Sequence, residues 1–186
     1  MAAPRALRLS VPDLRSDGFV LRPLGEADPA DFVQQQPDAE MRRWLTIRAE
    51  PVTEEVARMD LIGPAQAGWR DGTMAHFAIY AAADRRLLGT ISLRFYRHEI
   101  AEVGYDLMPE ARGHGVATEA VRLVSAWAFK ELRIERIELR THPDNLPSQR
   151  VAERAGFTRE GIERRSRRLY NERHDCVVFS LLASDR

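Results

Sequence analysis

A chain of 186 residues and 21.2 kDa suits one domain with a sizeable core and leaves little room for a second. Hydrophobic residues make up 44% and charged residues 30%, ordinary globular usage that excludes disordered and collagen-like chains. Lys+Arg and Asp+Glu are both 28, so no global field draws the protein to nucleic acid or anionic membrane, and no apolar run reaches the roughly 20 residues of a membrane helix.

Lys130 is the only lysine, so basic charge is almost all arginine, which we read as coding bias rather than function. The opening residues, Met1 to Leu7, lack the apolar core of a signal peptide. Cys176 is the only cysteine, which excludes an internal disulfide or a multi-cysteine zinc site and fits a reducing cytoplasm. Its setting in Cys176-Val177-Val178-Phe179 predicts a buried structural thiol.

In chain order, residues 1–17 read as an N-terminal arm and 18–186 as the domain. Phe19-Val20-Leu21 predicts a short strand stopped by Pro23. Glu26 and Asp28 open a helix to about Gln36, and Thr53-Glu54-Glu55 opens a second with Val56, Met59, Ile62 and Trp69 as its apolar stripe. Pro64 is expected to kink or interrupt that helix. Strands follow at 77–80 and 87–93, joined as a hairpin by Ala83-Asp84-Arg85-Arg86, and a further strand runs over 100–108. The clearest helix places Ala117, Ala120, Val121, Val124, Trp127 and Ala128 on one face. After a strand at Ile137-Glu138-Leu139, Asp144 or Asn145 caps a helix with Pro147 in its first turn and Gly156 as its stop. Strands near 157–163 and 175–182 close a mixed α/β sheet in the order β-α-α-β-β-β-α-β-α-β-β.

The strongest chemical signal is the passage from strand to helix through Arg112-Gly113-His114-Gly115-Val116-Ala117. A helix start leaves about four N–H groups without partners, and with the dipole they favour an anion such as a diphosphate. Glycines at 113 and 115 permit positive φ and close backbone approach. The plainer reading is a tight turn that merely uses glycine. No Gly-Lys-Ser/Thr follows and the third glycine of a dinucleotide fingerprint is missing, so both of those phosphate motifs are set aside.

Arg112-x-x-Gly115-x-Ala117 resembles the Arg/Gln-x-x-Gly-x-Gly/Ala signature of the GNAT acyl-CoA N-acyltransferases. Ala101-Glu102-Val103-Gly104-Tyr105 is similar to a motif of the branch holding the ribosomal-protein N-terminal acetyltransferases RimJ and RimL. Asn145-Leu146-Pro147-Ser148-Gln149-Arg150-Val151 with Ala155-Gly156-Phe157, Leu21-Arg22-Pro23-Leu24, and Asp175 with Val177-Val178 fit the same branch, so the resemblance covers about 19–182. It implies a single-domain α/β GNAT fold, whose mixed central sheet has a V-shaped split between the fourth and fifth strands, 100–108 and 136–141, with helices flanking it. It implies acetyl-CoA as cosubstrate, with no metal. The acceptor would be a protein N-terminus or a small-molecule amine. Transfer of succinyl stays open, as does a homodimer.

The resemblance assigns the pantetheine arm to backbone near Leu107 and Met108, and the diphosphate to amides of Arg112, Gly113, His114, Gly115, Val116, Ala117 and Thr118. Glu102 is the candidate base, directly or through water, or else a carboxylate that orients a cationic substrate or only faces outward from the strand. Ser148 is the candidate donor near the coenzyme sulfur, or else a first-turn helix residue. Asn145 touches the pantetheine or acyl end, caps the helix, or does both. The tyrosine many relatives carry four residues before Gly-Phe is Ala152 here.

His76, His98, His114, His142 and His174 contain no His-x-x-x-His pair, which argues against metal binding. Arg164, Arg165, Arg167 and Arg168 form a basic cluster that reads first as a solvated turn and second as a contact to an acidic substrate, ribose phosphate or RNA. Trp44 and Trp69 are candidates for the acceptor pocket or the core, and Tyr170-Asn171 for a loop over the cleft. Two rival functions remain at this stage: a non-enzymatic acyl-CoA-binding regulatory module, and an RNA-binding protein, the latter disfavoured by the balanced charge.

Overall fold

The computed structural model describes residues 7, 9–47, 50–97 and 99–185. His98 lies outside the described residues. Eight strands form one sheet: β1 (Leu14–Arg15), β2 (Phe19–Pro23), β3 (Met74–Ala81), β4 (Leu87–Arg97), β5 (Ile100–Leu107), β6 (Arg136–Thr141), β7 (Thr158–Leu169) and β8 (Glu172–Leu182). Their spatial order is β1-β2-β3-β4-β5-β6-β8-β7. Every neighbouring pair is antiparallel except β5 and β6, which are parallel.

The parallel pairing is short. Ile100, Ala101 and Glu102 oppose Arg136, Ile137 and Glu138, and beyond Glu102 the ladder stops although both strands continue. β6 carries on against β8, and β5 against β4. A V-shaped split therefore opens in mid-sheet, leaving main-chain polar groups of β5 without a strand partner on that side.

Helices cover both faces. The helix α5 (Val116–Glu131) crosses from β5 to β6, as a parallel pair requires. It buries Ala117, Ala120, Val121, Val124, Trp127 and Ala128, the stripe read from sequence. Trp127 meets the Phe77 ring edge-on at 5.7 Å. The opposite face carries α1 (Pro29–Gln34), α2 (Ala39–Trp44) and α3 (Glu54–Ala57), where Phe32, Met41 and Ala57 pack with Tyr80, Leu87 and Met108. The last helix, α6 (Leu146–Ala155), leans on α5 and ends at Gly156 with φ 95.

The early helices depart from the sequence reading. α2 was not anticipated; Asp38 caps it, accepting from the Met41 amide at 2.9 Å. The helix after Thr53 stays helical through Asp71 but widens before Pro64. A wide π turn over Arg58–Ile62 separates α3 from α4 (Gly63–Asp71), with Pro64 in the first turn of α4. Proline has no N–H to donate and crowds the carbonyl four residues back, so the preceding turn widens. Met59 is exposed, not part of the stripe, while Ile62 is buried. Near the arm, Leu7, Leu9 and Leu14 are partly buried against the core. Cys176 is buried, and that burial pushes its thiol up from the ordinary cysteine range.

Candidate active site

A cleft of about 430 Å³ occupies the open end of the split. β5 contributes Tyr105, Asp106 and Leu107; the start of α5 contributes Gly113, Gly115, Val116, Ala117 and Thr118; α6 contributes Pro147, Ser148 and Val151. Asn145 and Trp44 also line it.

The glycine turn has the geometry that the sequence suggested. Gly113 and Gly115 sit at φ 79 and 81, and a β-carbon on either would meet nothing within 4 Å. Gly115 is the cap of α5 and, among the described residues, no side chain caps the helix. Its first N–H groups thus remain available to an anion in the cleft.

Three members of the expected coenzyme set are placed differently. The Arg112 amide is already donated to Pro109 at 3.2 Å, so the cradle of free amides starts after it. Arg112 lines the cleft, but its guanidinium is engaged there: it grips Asp38 through two bonds of 2.7 and 2.9 Å and donates to the Leu107 carbonyl at 3.0 Å. This holds the Asp38 carboxyl below the usual carboxylate range. The Met108 amide donates to Leu88 at 2.9 Å and its side chain is buried on the α1–α3 side, outside the cleft. His114 is exposed and does not line the cleft.

Asn145 caps α6, accepting from the Ser148 amide at 3.1 Å, and also lines the cleft. The Ser148 hydroxyl accepts from the Tyr105 hydroxyl at 3.1 Å, so it is already polarised by a phenol. Burial pushes Tyr105 up to about 12. Sequence reasoning quoted Tyr105 only as part of a motif. The signal was available: in β5, Tyr105 alternates with Leu107 on the face toward α5. Ala152, where a tyrosine is usual, is fully buried.

Glu102 is not in this cleft. It shares a strand face with Gly104 and Asp106 as expected, but lies at the closed end of the split, where it faces a separate polar basin. There it is 9% exposed and accepts from Arg167 at 2.6 Å, Arg140 at 3.1 Å and Tyr96 at 3.3 Å. Arg140 also binds Glu138 at 2.6 Å and Glu163 at 3.1 Å. Both carboxylate oxygens of Glu102 are thus engaged by guanidiniums, at a distance from the cleft that the coenzyme cradle lines. The pairing also takes Arg167 out of the basic cluster.

Asp106, two positions further along that face, is in a different situation. It lines the cleft and forms no ion pair among the described residues. The Thr90 hydroxyl donates to it at 2.5 Å. Burial pushes its carboxyl up to about 6, against the smaller lowering by Thr90 and Arg112.

Around the mouth, Trp44 meets the His142 ring at 5.3 Å and His142 meets His174 at 5.3 Å. Tyr170, at the turn between β7 and β8, reaches across to donate to the carbonyls of Arg42 at 2.8 Å and Leu45 at 3.2 Å. The late hairpin is thereby joined to the end of α2. Trp69 belongs to the core, edge-on to Phe77 at 5.1 Å. Burial brings His76 down to about 4.

The family described as Acetyltransferase (GNAT) domain matches residues 19–158. This chain belongs to the GNAT acetyltransferase family. It is 44% identical to Probable N-acetyltransferase YjcK of Bacillus subtilis over 113 residues, 59% of this chain and 62% of that protein. It is 28% identical to Uncharacterized N-acetyltransferase p20 of Bacillus licheniformis over 91% of this chain and 95% of that protein. Among solved structures, Mycobacterium smegmatis RimJ in complex with CoA-disulfide superposes with a TM-score of 0.82 at 22% identity, covering 94% of this chain and 88% of RimJ. The split sheet and the flanking helices are thus those of the GNAT fold. Among the described residues, no helix is long and apolar enough to cross a membrane.

Proposed function

We propose that this GNAT enzyme transfers an acetyl group from acetyl-CoA to a primary amine, a protein N-terminus or a small molecule, by direct attack on the thioester in the cytoplasm. One observation carries the reading. β5 and β6 part after Glu102 and Glu138, and the unpaired edge of β5 runs to the uncapped amides of α5 across one continuous cleft. An extended pantetheine arm can take the missing strand's place, and its diphosphate the missing cap's.

Direct transfer requires a neutral amine, donors at the tetrahedral oxyanion and a hydrogen bond or proton for the departing sulfur. An α-amine of pKa about 7.7–8.0 is partly neutral near pH 7, whereas a lysine amine near 10.4 is mostly protonated. Ser148, oriented by its bond with the Tyr105 hydroxyl, is the hydrogen-bond donor we assign to the sulfur end. Asn145 holds the start of α6 and faces the arm. Glu102 is assigned to the ion network that closes the base of the split.

Calorimetry with acetyl-CoA, followed by thiol release with a panel of primary amines, tests the proposal. Saturable binding with amine-dependent thiol release is the expected result. Absence of binding at generous acetyl-CoA excess overturns it.

A further inference from the structure

Two cavities meet at Asp106. One is the cleft just described. The other, of about 230 Å³, lies beneath α1–α3 and is lined by Phe32, Met41, Leu45, Val52, Val56 and Met108 among others. Asp106, Met41 and Leu45 line both. Among its described lining residues the charged ones are Asp60 and Asp106, both acidic; no arginine, lysine or histidine is present. The wall is therefore apolar with carboxylates, the complement of a cation attached to an apolar body. Its volume is below the roughly 300–1,000 Å³ of drug-sized sites, and suits a single side chain or a compact amine.

The two carboxylates of β5 that share a face differ in what holds them. Glu102 is paired with Arg140 and Arg167, while Arg112, whose charge acts on Asp106, is committed to Asp38. Among the described residues Asp106 has Thr90 as its side-chain hydrogen-bond partner and cavities on either side.

We infer that Asp106 receives the acceptor's ammonium and takes its proton, and that the apolar cavity holds a compact aliphatic or aromatic body beside it. The inference rests on the acetyl-CoA reading above and names its acceptor class. An ammonium enters paired with the carboxylate and passes one proton to Asp106. The nitrogen lone pair then forms the N–C bond to the thioester carbon, and the carbonyl electron pair moves to oxygen. On collapse the C–S bond breaks and the sulfur takes its electron pair and the second nitrogen-borne proton, relayed through Ser148 or water. The products are the acetamide and the free coenzyme thiol, and Asp106 returns its proton to solvent.

The productive complex has Asp106 ionised and the amine protonated, so kcat/KM for the acceptor forms a bell. It falls below the Asp106 pKa of about 6 and again above the pKa of the amine. The experiment measures thiol release from acetyl-CoA with alaninamide, leucinamide and glutaminamide between about pH 5 and 9. Leucinamide is expected to exceed alaninamide at least tenfold, since each buried methylene contributes about fourfold, and to exceed glutaminamide. Asp106→Asn is expected to lose about a hundredfold or more in kcat/KM, with the descending limb gone and acetyl-CoA affinity unchanged; Asp106→Glu recovers part of the rate. An Asp106→Asn enzyme with normal rates and an intact bell overturns the inference, as does preference for the polar amide. If that variant fails to fold, a wild-type profile that only rises with pH is equally decisive against it. Failure of the wild type to bind acetyl-CoA instead removes the coenzyme reading and the acceptor role together.

Discussion

Replacing Gly115 by valine separates the fold from the cradle. Gly115 sits at φ 81, in the left-handed region, as the cap of α5. An L-residue there costs about 1–2 kcal/mol, at the upper end for a β-branched side chain. No further clash is expected, because a β-carbon at this position meets nothing within 4 Å. The stability loss is therefore confined to about 2 kcal/mol, a fall in Tm of about 4–8 °C for a chain of this size. The added methyl groups enter the cleft beside the free amides. Displacing a diphosphate from two charge-assisted N–H contacts removes on the order of 3–6 kcal/mol, at least a hundredfold in affinity. Thermal unfolding and calorimetry with acetyl-CoA on the same preparation read both quantities. A lowered Tm with wild-type acetyl-CoA affinity would refute the cradle, because the helix start would then be strained without having been used.

Further predictions concern the carboxylates. Asp38→Ala removes both the cap of α2, about 1 kcal/mol, and the pair with Arg112, about 0.5–1 kcal/mol at two-thirds burial. A double-mutant cycle with Arg112→Met in urea should return a coupling of about 0.5–1 kcal/mol, and zero coupling would refute the link between α2 and the cradle. Because the Asp38 pKa is lowered by folding, its contribution is present above its ordinary pKa of 3.8 and lost as pH falls through the folded value, so the cycle should flatten in acid. Glu102→Gln leaves Arg140 and Arg167 short of an anion and should cost about 1–3 kcal/mol of stability in urea; a large loss of turnover without loss of stability would return Glu102 to the chemistry. For Asp106 the sign is opposite. Its folded pKa, about 6, lies above the ordinary 3.8, so its neutral form stabilises the fold below that value and the benefit is lost as pH rises through about 6. Asp106→Asn should be more stable than wild type by about 1–2 kcal/mol near pH 8, with the gain vanishing toward pH 4, and equal destabilisation at both pH values would refute this.

Much of the architecture was legible because it is written in local pattern. The α5 stripe has a period that only a helix satisfies, and Gly113 and Gly115 mark backbone that other residues adopt at a cost. Asn145 and Pro147 announce the start of α6 through capping chemistry that acts within three residues. The family follows from such local motifs kept in order along the chain. The helix α2 was missed because six residues carry too little periodicity, although Asp38 ahead of Ala39-Glu40-Met41 is a cap signature.

What remained hidden depends on partners distant in sequence. Alternation placed Glu102 and Asp106 on one strand face and made them look equivalent. Only the fold brings Arg140 and Arg167 to the first, from β6 and β7, and leaves the second beside Thr90 between two cavities. The sequence assigns a role only to the Arg112 amide; the partner of its side chain, Asp38, lies 74 positions earlier. Tyr105 reads as a motif letter until Ser148 arrives at 3.1 Å, 43 positions later. Backbone preference and periodicity act within a few residues, so composition order determined the scaffold. Charge state, proton affinity and cavity shape depend on which groups meet across the sheet, and those were decided by the packing.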